Sequence, residues 1–305
     1  MEYFDLHCDT ATAAYDRGLH LDDERLMSST AKKPEEMNHC QAYAIFIPDE
    51  LRGEQACEYY RKNIDYFKLE AERFSDKLAV CRGIGDIDCA FAENKTAAVL
   101  AVEGGAAIGG SCGEIYKMAE DGVKFFTLTW NGENEIGHGC ASTGGLKRFG
   151  RDAVSALVEC GITVDISHLS DEGVYDVLSL TDRPVVATHS NLRSVCAHRR
   201  NLTEEMFCEL ISRNGLVGLN LFTKFISDDE ADECSFLRHI YRMLELGGEN
   251  IMAMGSDFDG AAMPKFCSDL RDIDRLYELV EVNFDQIVAR KIFSLNARKF
   301  MKINF

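Results

Sequence analysis

The sequence repeatedly places a side chain that can bind a metal ion at or near the end of a short, apolar, strand-like run. These side chains are His7, Asp9, Glu103, His168, His189 and Asp257. The carboxyl ends of the strands of a parallel barrel lie at one face, which is where barrel enzymes carry their active sites. The pattern therefore favours a metal-assisted hydrolase built on a barrel, and an enzyme is the first hypothesis.

Eight such runs alternate with helical patterns along the chain. The runs are residues 3–8, 42–47, 97–102, 123–129, 162–167, 184–188, 215–221 and 251–256. A helical spacing of apolar residues extends from Ala56 to Leu78, and Ser170 and Thr203 are residue types that cap helix N-termini. Eight apolar strands alternating with helices in 305 residues predict one α/β domain over 1–305, a (β/α)8 TIM barrel. A doubly wound open sheet is the alternative that a count of strands leaves open.

The charge of the chain narrows the class of partner. Thirty-three Lys and Arg against 51 Asp and Glu give a formal net charge of −18, which repels nucleic acid and anionic membrane surfaces. A small-molecule substrate is therefore expected. No signal peptide, spanning run or C-x-x-C pair is found among the residues, so reduced thiols and a cytoplasmic location are expected.

The first two candidate ligands form an H-x-D on a strand, where alternation of side chains turns His7 and Asp9 to the same face. Such a pair is also common as a hydrogen-bonded structural feature. Glu103 ends an apolar run and precedes two glycines. Its carboxylate can bridge two ions there, and capping of the turn is the alternative.

His168 and His189 each close a buried run. A single histidine in such a place is usually structural, but two on consecutive strands favour a shared function. Asp165 and Ser167 are predicted to orient these rings as hydrogen-bond acceptors.

Two further groups carry chemistry. In GSDFDG, Asp257 is predicted to accept a proton from a metal-activated water and return it to a leaving amine, whereas Asp259, which precedes a glycine, fits a turn-capping role better. Arg199 and Arg200 offer a guanidinium to a substrate carboxylate.

Taken in order, the segments LHCDT, VEGG, DISHLS, THSN, RRN and GSDFDG resemble the membrane (renal) dipeptidase family of the amidohydrolase superfamily, in a bacterial-type member. The resemblance implies a barrel that holds two zinc ions. His7 and Asp9 would hold the first ion and His168 and His189 the second, with Glu103 bridging them. It also implies that Asp257 is the acid near the reaction centre and that Arg200 binds substrate.

One position departs from the family pattern. Animal members have a histidine in an L-T-H context after the fourth strand, whereas this chain has Trp130. Asn131 or His138 can take over that contact to the substrate carbonyl, and Asn131 is the residue predicted to bind substrate. The polar loop 130–145 that contains them is a candidate lid.

The function expected from these observations is hydrolysis of dipeptides by a hydroxide that bridges two Zn²⁺ ions. The alternatives are a related amidohydrolase acting on a cyclic amide, a lactone or an ester, and a catalytically silent barrel that binds peptides. A homodimer is expected by analogy with other barrel enzymes.

Overall fold

All eight apolar runs of the sequence become parallel strands, and a ninth short strand joins them. The computed structural model describes all 305 residues. The strands are β1 (Glu2–Cys8), β2 (Asn38–Phe46), β3 (Leu78–Val80), β4 (Thr96–Glu103), β5 (Val123–Thr127), β6 (Thr163–Asp165), β7 (Val186–Ala187), β8 (Leu216–Leu219) and β9 (Met252–Met254). The (β/α)8 barrel predicted from the sequence is confirmed.

The barrel closes through strands that are not consecutive in the chain. Around the barrel the order is β1, β2, β4, β5, β6, β7, β8, β9, with β2 pairing to β4 along Cys40–Phe46 and Ala97–Glu103. Strand β3 pairs only with Thr96–Ala98 at the start of β4 and stays outside the closed ring. Eight strands therefore form the barrel, as expected.

Helices follow most of the strands. They are α1 (Thr10–Arg17), α2 (Gly53–Arg73), α3 (Ile84–Ala92), α4 (Cys112–Asp121), α5 (Arg148–Glu159), α6 (Asp171–Leu180), α7 (Glu204–Ser212), α8 (Thr223–Ile226), α9 (Glu233–Glu245), α10 (Ile273–Asn283), α11 (Gln286–Arg290) and α12 (Asn296–Asn304). Ser170 and Thr203 accept hydrogen bonds from backbone N–H groups at the starts of α6 and α7, which confirms both predicted caps. None of these helices combines the length and the apolar character needed to cross a lipid bilayer.

The helical pattern that starts at Ala56 ends earlier than predicted. Helix α2 stops at Arg73, and the chain turns so that Leu78 begins β3. The backbone N–H of Leu78 donates to the carbonyl of Phe74 within this turn, and the Leu78 side chain is buried. Since no Gly or Pro lies between Phe74 and Leu78, the sequence carries no stop signal there.

Two apolar clusters pack against the strands, one outside the barrel and one inside it. The outer cluster lies between strands and helices, and the inner cluster fills the barrel with small or aromatic side chains such as Ala42, Ala44 and Phe125. The inner cluster continues into α3 and α12, where Phe300 and Phe305 lie against it. Helix α12 thus covers the end of the barrel at which the strands begin, and the opposite end remains free for polar groups.

Candidate active site

The five predicted metal ligands meet at the carboxyl ends of the strands, with Glu103 between the other four. The Nε2 atoms of His168 and His189 lie 2.8 and 3.4 Å from Oε1 of Glu103. On the other side, Nε2 of His7 lies 3.5 Å from Oε2 of Glu103 and 3.4 Å from Oδ2 of Asp9. One carboxylate oxygen therefore faces each pair of side chains, which is the arrangement that a bridging ligand needs.

A register shift in β1 turns His7 towards this cluster. Phe4 and Leu6 belong to the inner cluster, so a regular strand would turn Cys8 inward next. Between Asp5 and Cys8, however, β1 has one more residue than β2, and Cys8 packs in the outer cluster. A β-bulge of this kind re-aims side chains beside active sites.

The donor atoms are suited to divalent cations. Single donor atoms of His7, Glu103 and His189 lie within 4.8 Å of one another, and so do those of His7, Asp9 and Asp257. His7 Nε2 and Asp9 Oδ1 are buried and have no hydrogen-bond partner. Buried polar atoms are rarely left without a partner, and a metal ion would satisfy both.

Burial and close charges shift the pKa values of these groups. Burial, together with the neighbouring Glu103 carboxylate, raises the pKa of Asp9 to about 8. Burial opposes charge on His7, but the carboxylates of Glu103 and Asp9 outweigh it and raise the pKa of His7. Burial would raise the pKa of Glu103, yet the nearby histidines hold it well below its usual value. The cluster is thus a set of charges that are strongly coupled.

Asp257 lies at the edge of the cluster in a strained backbone conformation. Its φ angle is 66°, in the left-handed region that non-glycine residues rarely adopt. A Cβ atom on Gly260 would lie 2.0 Å from Oδ2 of Asp9 and 2.8 Å from Oδ1 of Asp257. Position 260 therefore requires glycine, because its backbone runs close to both carboxylates. His168 is strained in the same way, with φ at 68°.

Arg200 forms part of the wall beside the cluster. Its side chain is buried and donates to Ser190 Oγ and to the His189 carbonyl, both at 3.1 Å, while Nε has no partner. Burial lowers the pKa of Arg200. The guanidinium lies over the Phe225 ring, 5.2 Å from its centroid. Nη1 and Nη2 each make one hydrogen bond and each carry a second N–H that is available to a ligand.

The cluster opens into a cavity of about 610 Å³, a size suited to a small molecule. Its walls include Asp9, Glu103, His168, Arg200 and Asp257.

Comparison with known proteins assigns the family. The family model described as membrane dipeptidase (peptidase family M19) matches residues 1–304. The chain belongs to the membrane dipeptidase family. It is a metallo-dipeptidase by class, as the sequence predicts, and a metal cofactor and a small peptide substrate follow from that class.

Three proteins that are similar to this chain illustrate the match. An uncharacterised protein from the region 5′ of pqqA in Klebsiella pneumoniae is 28% identical over 240 residues, covering 74% of this chain and 89% of that protein. The crystal structure of a metallopeptidase called dipeptidase AC has a TM-score of 0.94 at 25% identity, covering 100% of this chain and 98% of that one. A metallopeptidase from Rhodobacter sphaeroides, with a phosphinate mimic of L-Ala-D-Ala bound, has a TM-score of 0.94 at 24% identity and covers 100% and 99%.

The structure places differently the two residues, Asn131 and His138, that were predicted to replace the histidine of the animal members. Trp130 lines the cavity, with its ring centroid 5.0 Å from that of Phe46. Asn131 also lines it, but its Oδ1 lies 2.9 Å from Nδ1 of His168. Asn131 therefore orients the ring of His168, and its predicted contact with substrate stays a prediction. Nδ1 of His138 lies 3.8 Å from Glu133, and His138 is not part of the cavity wall, so its predicted contact also stays a prediction.

Asp165 is connected to the ring of His189 through Thr188. Thr188 Oγ1 donates to Asp165 at 2.6 Å and lies 2.8 Å from Nδ1 of His189. Because the threonine proton is used by Asp165, the threonine oxygen accepts from the Nδ1–H of His189. Nε2 of His189 is thereby left without a proton, as metal binding would require, and it lies 2.9 Å from Nε2 of His168. Ser167 accepts from the backbone N–H of His189 rather than from its ring.

Sequence reasoning missed Asn220, which follows β8 directly. Its Nδ2 donates to Oδ2 of Asp257 at 3.0 Å and to the His189 carbonyl at 3.3 Å. The signal was available, since Asn220 is a buried polar residue at the end of an apolar run. Asp259 accepts from backbone N–H groups, but these belong to Met27 and Ser28 in another loop and not to its own turn.

Proposed function

We propose that this chain hydrolyses the peptide bond of dipeptides with two zinc ions. The proposal rests on the position of Glu103. Its two carboxylate oxygens face different sets of predicted ligand side chains. His7 and Asp9 would hold one ion and His168 and His189 the other, with Glu103 shared. Imidazole and carboxylate donors suit zinc.

Zinc ions in such a site supply Lewis acidity, which lowers the pKa of a water molecule and polarises a carbonyl group. The ligand side chains are held by their neighbours for this purpose. His189 donates through Nδ1 to Thr188, and Nδ1 of His168 contacts Asn131. Both rings therefore direct Nε2 at the centre, where Glu103 also lies.

Asp257 is the group proposed to move the proton. It takes the proton from the attacking water and delivers it to the amine that leaves. Its carboxylate lies in the cavity wall, and Asn220 holds Oδ2 by a hydrogen bond of 3.0 Å. That bond leaves Oδ1 for the proton. General acid–base catalysis needs such a carboxylate within hydrogen-bond distance of the reacting atoms.

Arg200 is proposed to bind the C-terminal carboxylate of the dipeptide. It is buried, it lines the cavity, and Nη1 and Nη2 each make one hydrogen bond to an uncharged acceptor. Their remaining N–H groups could donate charge-assisted hydrogen bonds to a carboxylate. Because Arg200 closes this side, a longer peptide would collide with the wall, which restricts the substrate to two residues.

A substrate panel on zinc-loaded protein tests the proposal. We expect hydrolysis of L-L or L-D dipeptides, little hydrolysis of tripeptides or dipeptide amides, and two zinc ions per chain by elemental analysis. Lactones and esters belong in the same panel. Rapid lactone turnover with no dipeptide cleavage would support the alternative amidohydrolase function instead. A zinc content near zero would exclude the proposed mechanism.

A further inference from the structure

We infer that the cavity prefers dipeptides whose C-terminal residue has an acidic side chain, recognised by Lys224 and Arg199 beside Arg200. The inference rests on the proposed dipeptidase function and adds a substrate class to it. The observation behind it is a wall that carries more positive charge than one substrate carboxylate requires.

Three cationic side chains share one wall of the cavity. Arg199 and Arg200 follow β7, and Lys224 lies in α8, which follows β8. Strands β7 and β8 are neighbours in the barrel, so the three residues come from adjacent loops. His198 lies among them. Burial lowers its pKa, and the charges of Arg200, Arg199 and Lys224 lower it further, so His198 is neutral near pH 7.

None of the three cations is neutralised by a carboxylate within 4.0 Å. Arg199 donates to the Cys140 carbonyl at 2.9 Å, and both acceptors of Arg200 are uncharged. Arg193, in the same loop, behaves differently because it forms two hydrogen bonds to the carboxylate of Asp171, at 2.6 and 2.8 Å. The loop thus neutralises the arginine that lies outside the cavity wall and leaves the other two unpaired.

Acidic groups near this wall do not cancel its charge. Asp228 is the one carboxylate among the groups that shift the pKa of His198. It accepts a weak hydrogen bond from Cys196 Sγ at 3.6 Å and makes no ion pair with Lys224. In a chain with a net charge of −18, a wall with three unpaired cations is a local reversal of sign.

The depth of the cations separates their roles. Arg200 is only 5% exposed and lies deep beside the metal-ligand cluster, where it meets the α-carboxylate. Arg199 and Lys224 are exposed at the mouth of the cavity. A side-chain carboxylate on the C-terminal residue would extend towards these two, whereas a lysine or arginine side chain there would be repelled.

The test compares acidic substrates with their amide isosteres on the zinc-loaded full chain. Ala-Asp and Ala-Glu are measured against Ala-Asn and Ala-Gln, with each C-terminal residue in L and D form. Partly exposed ion pairs are weak, so we expect kcat/KM to be about three- to tenfold higher for the acidic member of each pair. The ratio should decrease as ionic strength rises, because salt screens exposed charges.

Variants identify the residues responsible. Lys224→Gln and Arg199→Gln should each lower the acid-to-amide ratio, and the double variant should bring it close to one. Lys265→Gln is the matched control, because Lys265 pairs with Glu230 and lies outside the cavity wall; it should leave the ratio unchanged.

Equal kcat/KM for acidic and amide substrates, or a ratio that survives the double variant, would overturn the inference while leaving the dipeptidase function intact. Failure to cleave every dipeptide in the panel would instead defeat the proposed function, and the preference with it.

Discussion

At the end of the barrel where the strands begin, the rings of Phe125 and Phe305 pack with centroids 5.2 Å apart. At the end where they finish, the carboxylate of Glu103 lies 2.8 Å from the ring of His168. The first end gains stability by removing apolar surface from water. The second buries charged groups, which is unfavourable until an opposite charge joins them. The same strands thus stabilise the fold at one end and concentrate reactivity at the other.

The largest expected effect is a loss of catalysis at the end of the barrel where the strands finish, and it comes from a substitution of Asp257. Replacement of Asp257 by Asn removes the proton acceptor, and we expect kcat to fall by about 10²- to 10⁴-fold. Asparagine tolerates a positive φ, so the fold and the zinc content should be retained. Steady-state kinetics and elemental analysis on the same sample check both. Near-normal turnover with zinc bound would contradict the proton-transfer role.

A cavity at the opposite end of the barrel should lower stability and leave the metal site unchanged. Phe125→Ala removes a fully buried ring, and we expect the free energy of unfolding to fall by about 3–5 kcal/mol, measured by urea denaturation of zinc-loaded protein. The zinc content of the folded protein should not change. Loss of zinc at concentrations of urea that leave the fold intact would show that the two ends are not independent.

A substitution at Thr188 tests whether metal binding depends on the hydrogen bond that orients His189. Thr188→Val removes the oxygen that accepts from Nδ1 of His189, and loss of such a contact typically weakens metal binding by about 10- to 100-fold. Thr127→Val is the control, since Thr127 donates to the same carboxylate, Asp165, at 2.6 Å and makes no hydrogen bond to a histidine ring. Competition with a chelator measures both. Equal losses in the two variants would assign the effect to Asp165 instead.

The smallest effect concerns pH. Burial and Glu103 raise the pKa of Asp9 to about 8 in the metal-free fold, above the value of about 3.9 for an unfolded chain. This group therefore favours the metal-free fold at low pH, and its contribution is lost as pH rises through about 8. A metal ion requires the ionised carboxylate, so metal affinity should increase with pH up to about 8 and binding should release a proton.

Calorimetry in buffers of different ionisation enthalpy measures that proton. Zinc affinity that does not change between pH 6 and pH 8, with no proton released, would contradict the assignment.

Sequence reasoning located the reactive end well, because its residues have a simple positional rule. His168, His189 and Glu103 each close an apolar run, and the carboxyl ends of parallel strands meet at one face. The same alternation of strands and helices predicted the barrel, although the strand count alone left a doubly wound open sheet as the alternative. What the pattern could not show is conformational detail that depends on neighbours distant in sequence.

Three features show that limit. The extra residue in β1 is visible only in its pairing with β2, the backbone of Asp257 is left-handed, and α2 ends at Arg73, before the buried Leu78. Asn220 was missed for another reason. Apolar neighbours on both sides made it look like part of the strand, although it is a polar contact of the site.

The extra residue in β1 also has a consequence for protein design. In an idealised strand, His7 would face the surrounding helices and the thiol of Cys8 would take its place inside. Copying only the ligand residues onto a regular scaffold would therefore transplant a different set of donor atoms. A successful graft would have to carry the irregularity together with the imidazole.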